Sequence, residues 1–502
     1  MTSRRSLAVA SVCAALLAGC GAVDTQTDAL DRLKPCTSEQ GPLDAYCGSV
    51  EVWEDREAET GRRISLKVVV LAGARRNEHP DPLFFLAGGP GLGAAQVSSE
   101  IQRSFRPLLA DRDMVFVDQR GAGESNSLAC DLDDDDSLAA DPQRFYRLLR
   151  ECMEGFDADL RLYTTPIAMD DLNEVREFLG YERVNLYGGS YGTRAAIAYL
   201  RRYPETVRSV VLDGVAPPDL ILPQYFARDS QRAWDLLIAD CNADPACADA
   251  FPNLAARFEQ LLSRLDADPE RVTLTHPRTG KREVVTVDRR LVSLIVFDAL
   301  YTSETAATLP FLIDRATEGD YSGLLALSSV GVSAGVEISL GMRYSVICAE
   351  DAPRATPAAL VREAAGTFGR AALAEMFLEP CKFWPRGEVP GDYYEPFVAE
   401  TPALLLSGRL DPVTPPQWAE QIVEQWPNAR HIVAPGIGHG AATHGCLMRL
   451  IREFLNEPNP EGLDASCVET LRRRPFFLGY AGPVQPSPAA HPRGGASRGE
   501  RP

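Results

Sequence analysis

Residues 188–192 read Gly-Gly-Ser-Tyr-Gly, the pattern G-x-S-x-G, and Ser190 at their centre is a candidate nucleophile. A serine hydroxyl attacks a carbonyl only when a neighbouring base removes its proton. The surroundings suit that work. An apolar run of strand length, 184–187, precedes the pattern, and a helix-like segment, 193–203, follows it. Strand, tight turn and helix make a nucleophile elbow, in which strained backbone lifts the serine hydroxyl above a sheet. Glycines at 188 and 192 let strand and helix approach closely. The N–H of Tyr191 is then aimed at a developing oxyanion.

The base should be a histidine, and a carboxylate should orient it. Of the 6 histidines, His79 and His276 lie beside prolines in loop-like stretches, His491 sits in the C-terminal tail and His431 opens a strand. His439 and His444 remain. His439, in Gly438-His439-Gly440, follows the last strand-like run, where a loop can suspend an imidazole over the site, and on that ground it is preferred to His444. Asp411 follows the run 403–406 and is the candidate orienting carboxylate. A plain turn aspartate before Pro412 is the bland alternative, and Asp213, after the run 209–212, is the rival. Asp411 is preferred because Ser190, Asp411, His439 is the chain order of α/β-hydrolase triads. The second oxyanion donor should come from Gly88-Gly89-Pro90-Gly91, after the run 83–86, with the Gly89 N–H as the choice. A phosphate cradle does not fit, for the stretch lacks a following G-K-[ST] and G-x-G-x-x-G spacing.

These positions need a sheet to hold them. Segments 50–53 and 64–71 read as an opening hairpin. The continuous apolar runs 83–86 and 114–117 suit strands buried on both faces. Helical patterns at 169–179 and 193–203 alternate with strands 184–187 and 209–212, which predicts a mostly parallel sheet flanked by helices. From 217 to 398 the rhythm becomes mostly helical, then strands resume at 403–406 and 431–433. The expectation is an α/β-hydrolase fold with a large helical cap, 217–398, inserted between sheet strands. Core segments 36–216 and 399–480 flank that cap, and a disordered tail, 481–502, closes the chain. The acidic run at 131–136 lacks the glycine and distal glutamate of a calcium loop and reads as a solvated loop.

Composition narrows the class. A net charge of −19 argues against nucleic acid as a partner, which needs a basic face. The N-terminus reads as a signal peptide over residues 1–19: Arg4 and Arg5, then an apolar run at 7–18, too short to span a bilayer. It ends in Leu17-Ala18-Gly19-Cys20, which resembles a bacterial lipobox. Lipid on Cys20 and a tether over 20–35 would place an exported protein on the periplasmic or cell-surface side of a membrane. Of 12 cysteines, ten remain once Cys13 and Cys20 are set aside, an even number suited to an oxidising compartment. Nearest-neighbour pairing joins Cys36 with Cys47, Cys130 with Cys152, Cys241 with Cys247, Cys348 with Cys381 and Cys446 with Cys467. No C-x-x-C or H-E-x-x-H is present, so no metal and no cofactor is expected.

Gly88-Gly89-Pro90-Gly91, the run Asp118-Gln119-Arg120-Gly121-Ala122-Gly123-Glu124-Ser125 and Gly188-Gly189-Ser190-Tyr191-Gly192 together resemble the proline iminopeptidase and tripeptidyl aminopeptidase family of serine exopeptidases. The likeness extends over about residues 66–455, and the D-Q-R-G-x-G-x-S run is its most specific part. Ala87 stands where many proline iminopeptidases have histidine, which leans toward the tripeptidyl branch. The resemblance implies an acyl-enzyme on Ser190 and peptide substrates with a free N-terminus. It also implies an acidic cap residue to meet the substrate's ammonium, and Glu350 and Asp351, beside Cys348, are the candidates. Arg120 is expected to be structural. A lipoprotein carboxylesterase would use the same triad, and a non-catalytic surface lipoprotein would have no need of it. Length and charge leave the oligomeric state open.

Overall fold

The computed structural model describes residues 29–38, 41–132, 141–275, 280, 282–329 and 337–483. Nine strands form one sheet: β1 (Lys34–Ser38), β2 (Gly41–Trp53), β3 (Arg63–Leu71), β4 (Leu83–Leu86), β5 (Met114–Val117), β6 (Val184–Gly189), β7 (Val207–Asp213), and two that follow the insertion. Their order is β1-β2-β3-β5-β4-β6-β7, continued by the strands Ala403–Gly408 and Ala429–Ala434. Pairing is antiparallel through β3 and β5, and parallel from β5 onward. The strands expected at 83–86 and 114–117 lie where their unbroken apolar runs put them.

Period-two alternation sorts each central strand between two cores. Phe84, Leu86, Val115 and Val117 face one side, with the helices α1 (Thr165–Leu179) and α2 (Tyr191–Arg202). Leu83, Phe85, Met114 and Phe116 face the other, with Leu447, Leu450, Ile451 and Phe454 of the C-terminal helix Leu447–Asn456. Both faces are covered, as a parallel sheet requires.

The insertion lies between β7 and the strand Ala403–Gly408. It has its own apolar core, built from Trp234, Phe258, Val292, Ile313 and their neighbours. It includes the helices α3 (Phe226–Ala243), α4 (Arg289–Ala299) and α5 (Leu340–Val346), the last running into a π-turn at Ile347–Asp351. It also holds an antiparallel hairpin, β8 (Glu270–Thr275) with β9 (Arg282–Val287), which the mostly helical rhythm does not announce. The alternation of Val272 and Leu274 with exposed Arg271 and Thr273 is the signal for it. The post-insertion strands are therefore β10 (Ala403–Gly408) and β11 (Ala429–Ala434).

Within the stretch expected as a tether, 20–35, Ala29 and Leu33 are buried in the sheet's first core and β1 starts at Lys34, while residues 20–28 lie outside the described residues. Apolar side chains at 29, 30 and 33, around a 3-10 turn, dock this stretch on the body. All five disulfides join the sequence neighbours named above. Cys20, residues 133–136 of the acidic run and residues 484–502 of the tail lie outside the described residues. Among the described residues no helix is long and apolar enough to cross a membrane.

Candidate active site

Ser190 stands between β6 and α2 with φ 56° and ψ −125°, a backbone state that L-residues rarely occupy. Neighbours hold it there. Its N–H donates to the Asp213 carbonyl at 2.8 Å, and its carbonyl accepts from the Thr193 N–H and hydroxyl. Glycine is needed on both sides: a Cβ on Gly192 would strike the Leu86 carbonyl, and one on Gly188 the Gly192 carbonyl. Tyr191 opens α2, so its N–H belongs to the first-turn donors that a helix leaves without an internal acceptor. Gly88 abuts Ser190, since a Cβ there would lie 3.2 Å from the Ser190 Cβ. Gly89, the expected second donor, is the next residue, solvent-exposed and at φ +115°.

The Asp118–Ser125 run supports this strip. Asp118 accepts from the N–H groups of Ala95 (2.7 Å) and Glu124 (3.0 Å), tying the Gly-rich loop to the end of β5. Arg120 is fully buried and forks onto Asp171 at 2.6 and 2.8 Å while donating to the Trp53, Glu54 and Leu162 carbonyls. It ties sheet to helix, the structural role expected of it.

Asp411 and His439 meet across the ends of β10 and β11. His439 Nδ1 lies 2.7 Å from Asp411 Oδ2. The carboxylate also accepts from the Val413 and Thr414 N–H groups and the Thr414 hydroxyl, each at 2.8 Å. An ionised carboxylate only accepts, so in the neutral imidazole the proton sits on Nδ1 and Nε2 keeps its lone pair. Burial alone would raise the Asp411 carboxyl, but His439 and these donors outweigh it and its pKa falls below the ordinary value. For His439, burial opposes the charged ring, Asp411 and then Asp213 oppose burial, and the pKa ends above the ordinary 6.5. His444 makes no such pair; its N–H donates to Ala441 in the same loop.

Asp213, the rival carboxylate, is not paired with the ring. It accepts from the N–H groups of Ala441 (2.7 Å) and Ala442 (2.9 Å) and from the Tyr187 hydroxyl (2.9 Å). Gly214, which follows it, packs against His439 Cε1. The cap contacts the same loops. The Tyr301 carbonyl accepts the His439 N–H at 2.7 Å, and its ring meets the imidazole edge-on at 5.3 Å between centroids. Arg343 Nε reaches toward the Pro90 carbonyl at 3.5 Å, and Ser339 pairs with Gly91. Asp298, in the last turn of α4, has no hydrogen-bond or ionic partner for its carboxylate among the described residues, and burial pushes its pKa up to about 6. Neither Tyr301 nor Asp298 carries a sequence signal. Thr414 does, in the Asp411-Pro412-Val413-Thr414 turn.

Glu350 and Asp351 do not fit the role expected of them. Both are fully buried. Glu350 accepts from the Thr165 N–H and the Tyr393 hydroxyl and lies 3.6 Å from Arg194. Asp351 accepts from Arg194 at 3.0 Å and from the Leu222 N–H. Burial raises both carboxyls and Arg194 pulls them back. Their oxygens are taken by the chain itself and balance an arginine of α2, leaving none for a substrate ammonium.

The α/β hydrolase fold model matches residues 81–442, and the chain belongs to that family. It is 24% identical over 419 residues to serine protease Hip1 of Mycobacterium tuberculosis, covering 76% of this chain and 80% of that one. It is 24% identical over 469 residues to the tripeptidyl aminopeptidase of Streptomyces lividans, covering 86% of each. Over 158 residues it is 31% identical to the proline iminopeptidase of Neisseria gonorrhoeae, covering 31% of this chain and 37% of that one. A crystal structure of proline iminopeptidase from Mycobacterium smegmatis aligns over 83% of this chain and all of its own, with a TM-score of 0.39 and 16% identity. The protein is a serine hydrolase of the α/β-hydrolase fold.

Proposed function

We propose that this is an exported, lipid-anchored serine aminopeptidase that releases short N-terminal units, a single residue or a tripeptide, from peptides. Its main support is the Asp411–His439 pair at 2.7 Å, whose histidine loop is tied through Asp213 to the strained elbow of Ser190. In this reading Ser190 Oγ attacks the scissile carbonyl while His439 Nε2 takes its proton. The oxyanion is held by the Gly89 and Tyr191 N–H groups. His439 passes the proton to the leaving amine nitrogen, the C–N bond breaks, and an acyl-serine remains. Water, deprotonated by the same ring, cleaves that ester and restores the hydroxyl.

The peptidase half draws on the names of the relatives, two of them aminopeptidases, and on the cap. Asp298 offers a half-buried carboxylate, without a hydrogen-bond or ionic partner among the described residues, in the helix that leads to Tyr301, and in this reading it receives the substrate's ammonium. Export draws on the basic and apolar N-terminus, Cys20 in its lipobox-like context, and five disulfides suited to an oxidising compartment.

A panel of free-amine peptides, their N-acetylated forms and a small acetate ester tests the substrate class, with Ser190→Ala as the blank. Free-amine peptides should be strongly preferred. Asp298→Asn should lower kcat/KM for them by roughly ten- to a hundredfold, the worth of a charge-assisted contact, and leave the ester near its original rate. Preference for the ester, or equal use of acetylated peptides, refutes the aminopeptidase reading.

A further inference from the structure

Two loops have to agree for a serine and a histidine to work together: the elbow after β6 and the loop after β11. They are separated by more than two hundred residues of chain. Asp213, at the end of β7, touches both. Its main-chain carbonyl accepts the Ser190 N–H at 2.8 Å. Its carboxylate accepts the N–H groups of Ala441 (2.7 Å) and Ala442 (2.9 Å), two and three residues beyond His439. A third donor, the Tyr187 hydroxyl at 2.9 Å, comes from β6, three residues before Ser190. Asp213 is 3% exposed, so these contacts are shielded from water.

We propose that Asp213 is a positioning residue that registers the nucleophile elbow to the histidine loop, holding Ser190 through its backbone and His439 through its side chain. The proposal rests on the assignment of Ser190 and His439 as nucleophile and base. A buried carboxylate with three donors has one low-energy orientation, so both loops are fixed to the rigid end of one strand. Removing it would loosen the ring relative to the hydroxyl, and misplacement of about 1 Å can cost roughly a hundredfold in rate.

The same carboxylate also acts through space. The titratable and charged groups facing His439 are Asp411, Asp213 and the Tyr301 ring, with Asp298 and Arg343 acting on the Tyr301 phenol, and the Thr414 hydroxyl lies 3.0 Å from Nδ1. Asp411 and Asp213 both favour the charged ring against burial. Loss of the Asp213 charge therefore lowers the His439 pKa, and the acid limb of activity moves to lower pH.

A fluorophosphonate reports on this without any assumption about peptides or esters. Ser190 Oγ bonds to phosphorus, fluoride leaves, and His439 takes the proton. Asp213→Asn should cut the maximal labelling rate by roughly ten- to a hundredfold and move its pH midpoint downward. A role in folding alone would lower the melting temperature and leave the midpoint in place. Tyr187→Phe, which keeps the charge but removes the donor that orients the Asp213 carboxylate toward the histidine loop, should slow maximal labelling several-fold without weakening reagent binding. Should Asp213→Asn not fold, this second variant decides. Unchanged rate and midpoint in a folded Asp213→Asn, or an unchanged rate in Tyr187→Phe, overturns the proposal. Failure of the wild-type protein to label at Ser190 refutes the nucleophile assignment instead.

Discussion

His439 gathers the site's electrostatics in one side chain. Its Nδ1 proton is held by Asp411, its backbone N–H by Tyr301, and its loop by Asp213. In the proposed mechanism only the neutral ring accepts a proton from Ser190, and the folded pKa lies above the ordinary 6.5. Activity should therefore rise with pH through a midpoint above that value and be lost below it, which a kcat–pH profile measures. His439→Ala should cost about as much activity as Ser190→Ala, because the two act as a unit. His444→Ala, in the same loop but with no link to Asp411, should be mild. A reversal of those two results would move the base to His444.

At the scale of elements, α2 and the π-turn at Ile347–Asp351 are joined by a buried ionic cluster. Arg194 projects from α2, three residues after Tyr191, into Asp351, Glu350 and the Leu220 carbonyl. The disulfide Cys348–Cys381 pins the same turn. The cap is thus anchored to the elbow helix by charges taken out of water. Breaking such a cluster leaves carboxylates unpaired, at a cost of about 3–5 kcal/mol. Arg194→Met should lower stability by that order in a denaturant titration. Glu350→Gln and Asp351→Asn should affect peptide and ester substrates alike. A selective loss on free-amine peptides would restore their reading as ammonium receptors.

The whole molecule pairs a two-faced sheet with a cap that has its own core, and the site lies where the cap residues Tyr301 and Ser339 meet the core residues His439 and Gly91. The described chain begins docked: Ala29 and Leu33 are already buried, so a lipid on Cys20 would be joined to the body by a short segment. In the proposed reading membrane attachment depends on Cys20, and among the described residues no helix is long and apolar enough to cross a membrane. Cys20→Ser should move the protein from the membrane fraction to the soluble fraction, or leave an uncleaved precursor on a denaturing gel. Finding the wild-type mature chain soluble and free of lipid would refute export by lipidation.

Much of this molecule is legible in its local chemistry. Strands 83–86 and 114–117 declare themselves because a strand buried on both faces must be apolar throughout. The elbow does so because its glycines, serine and flanking elements are adjacent in the chain, and the ten described cysteines pair with sequence neighbours because short loops close easily. The order Ser190, Asp411, His439 is likewise a property of the sequence. Tertiary structure alone decided what each carboxylate does. Arg194 reaches Asp351 across 157 residues of chain, which turned a supposed ammonium site into a buried anchor. Ala441 reaches Asp213 across 228, which places the rival of Asp411 between the Ser190 elbow and the His439 loop. A carboxylate's role depends on which donors surround it and how much water is excluded, and folding brings those together from segments that share no local pattern.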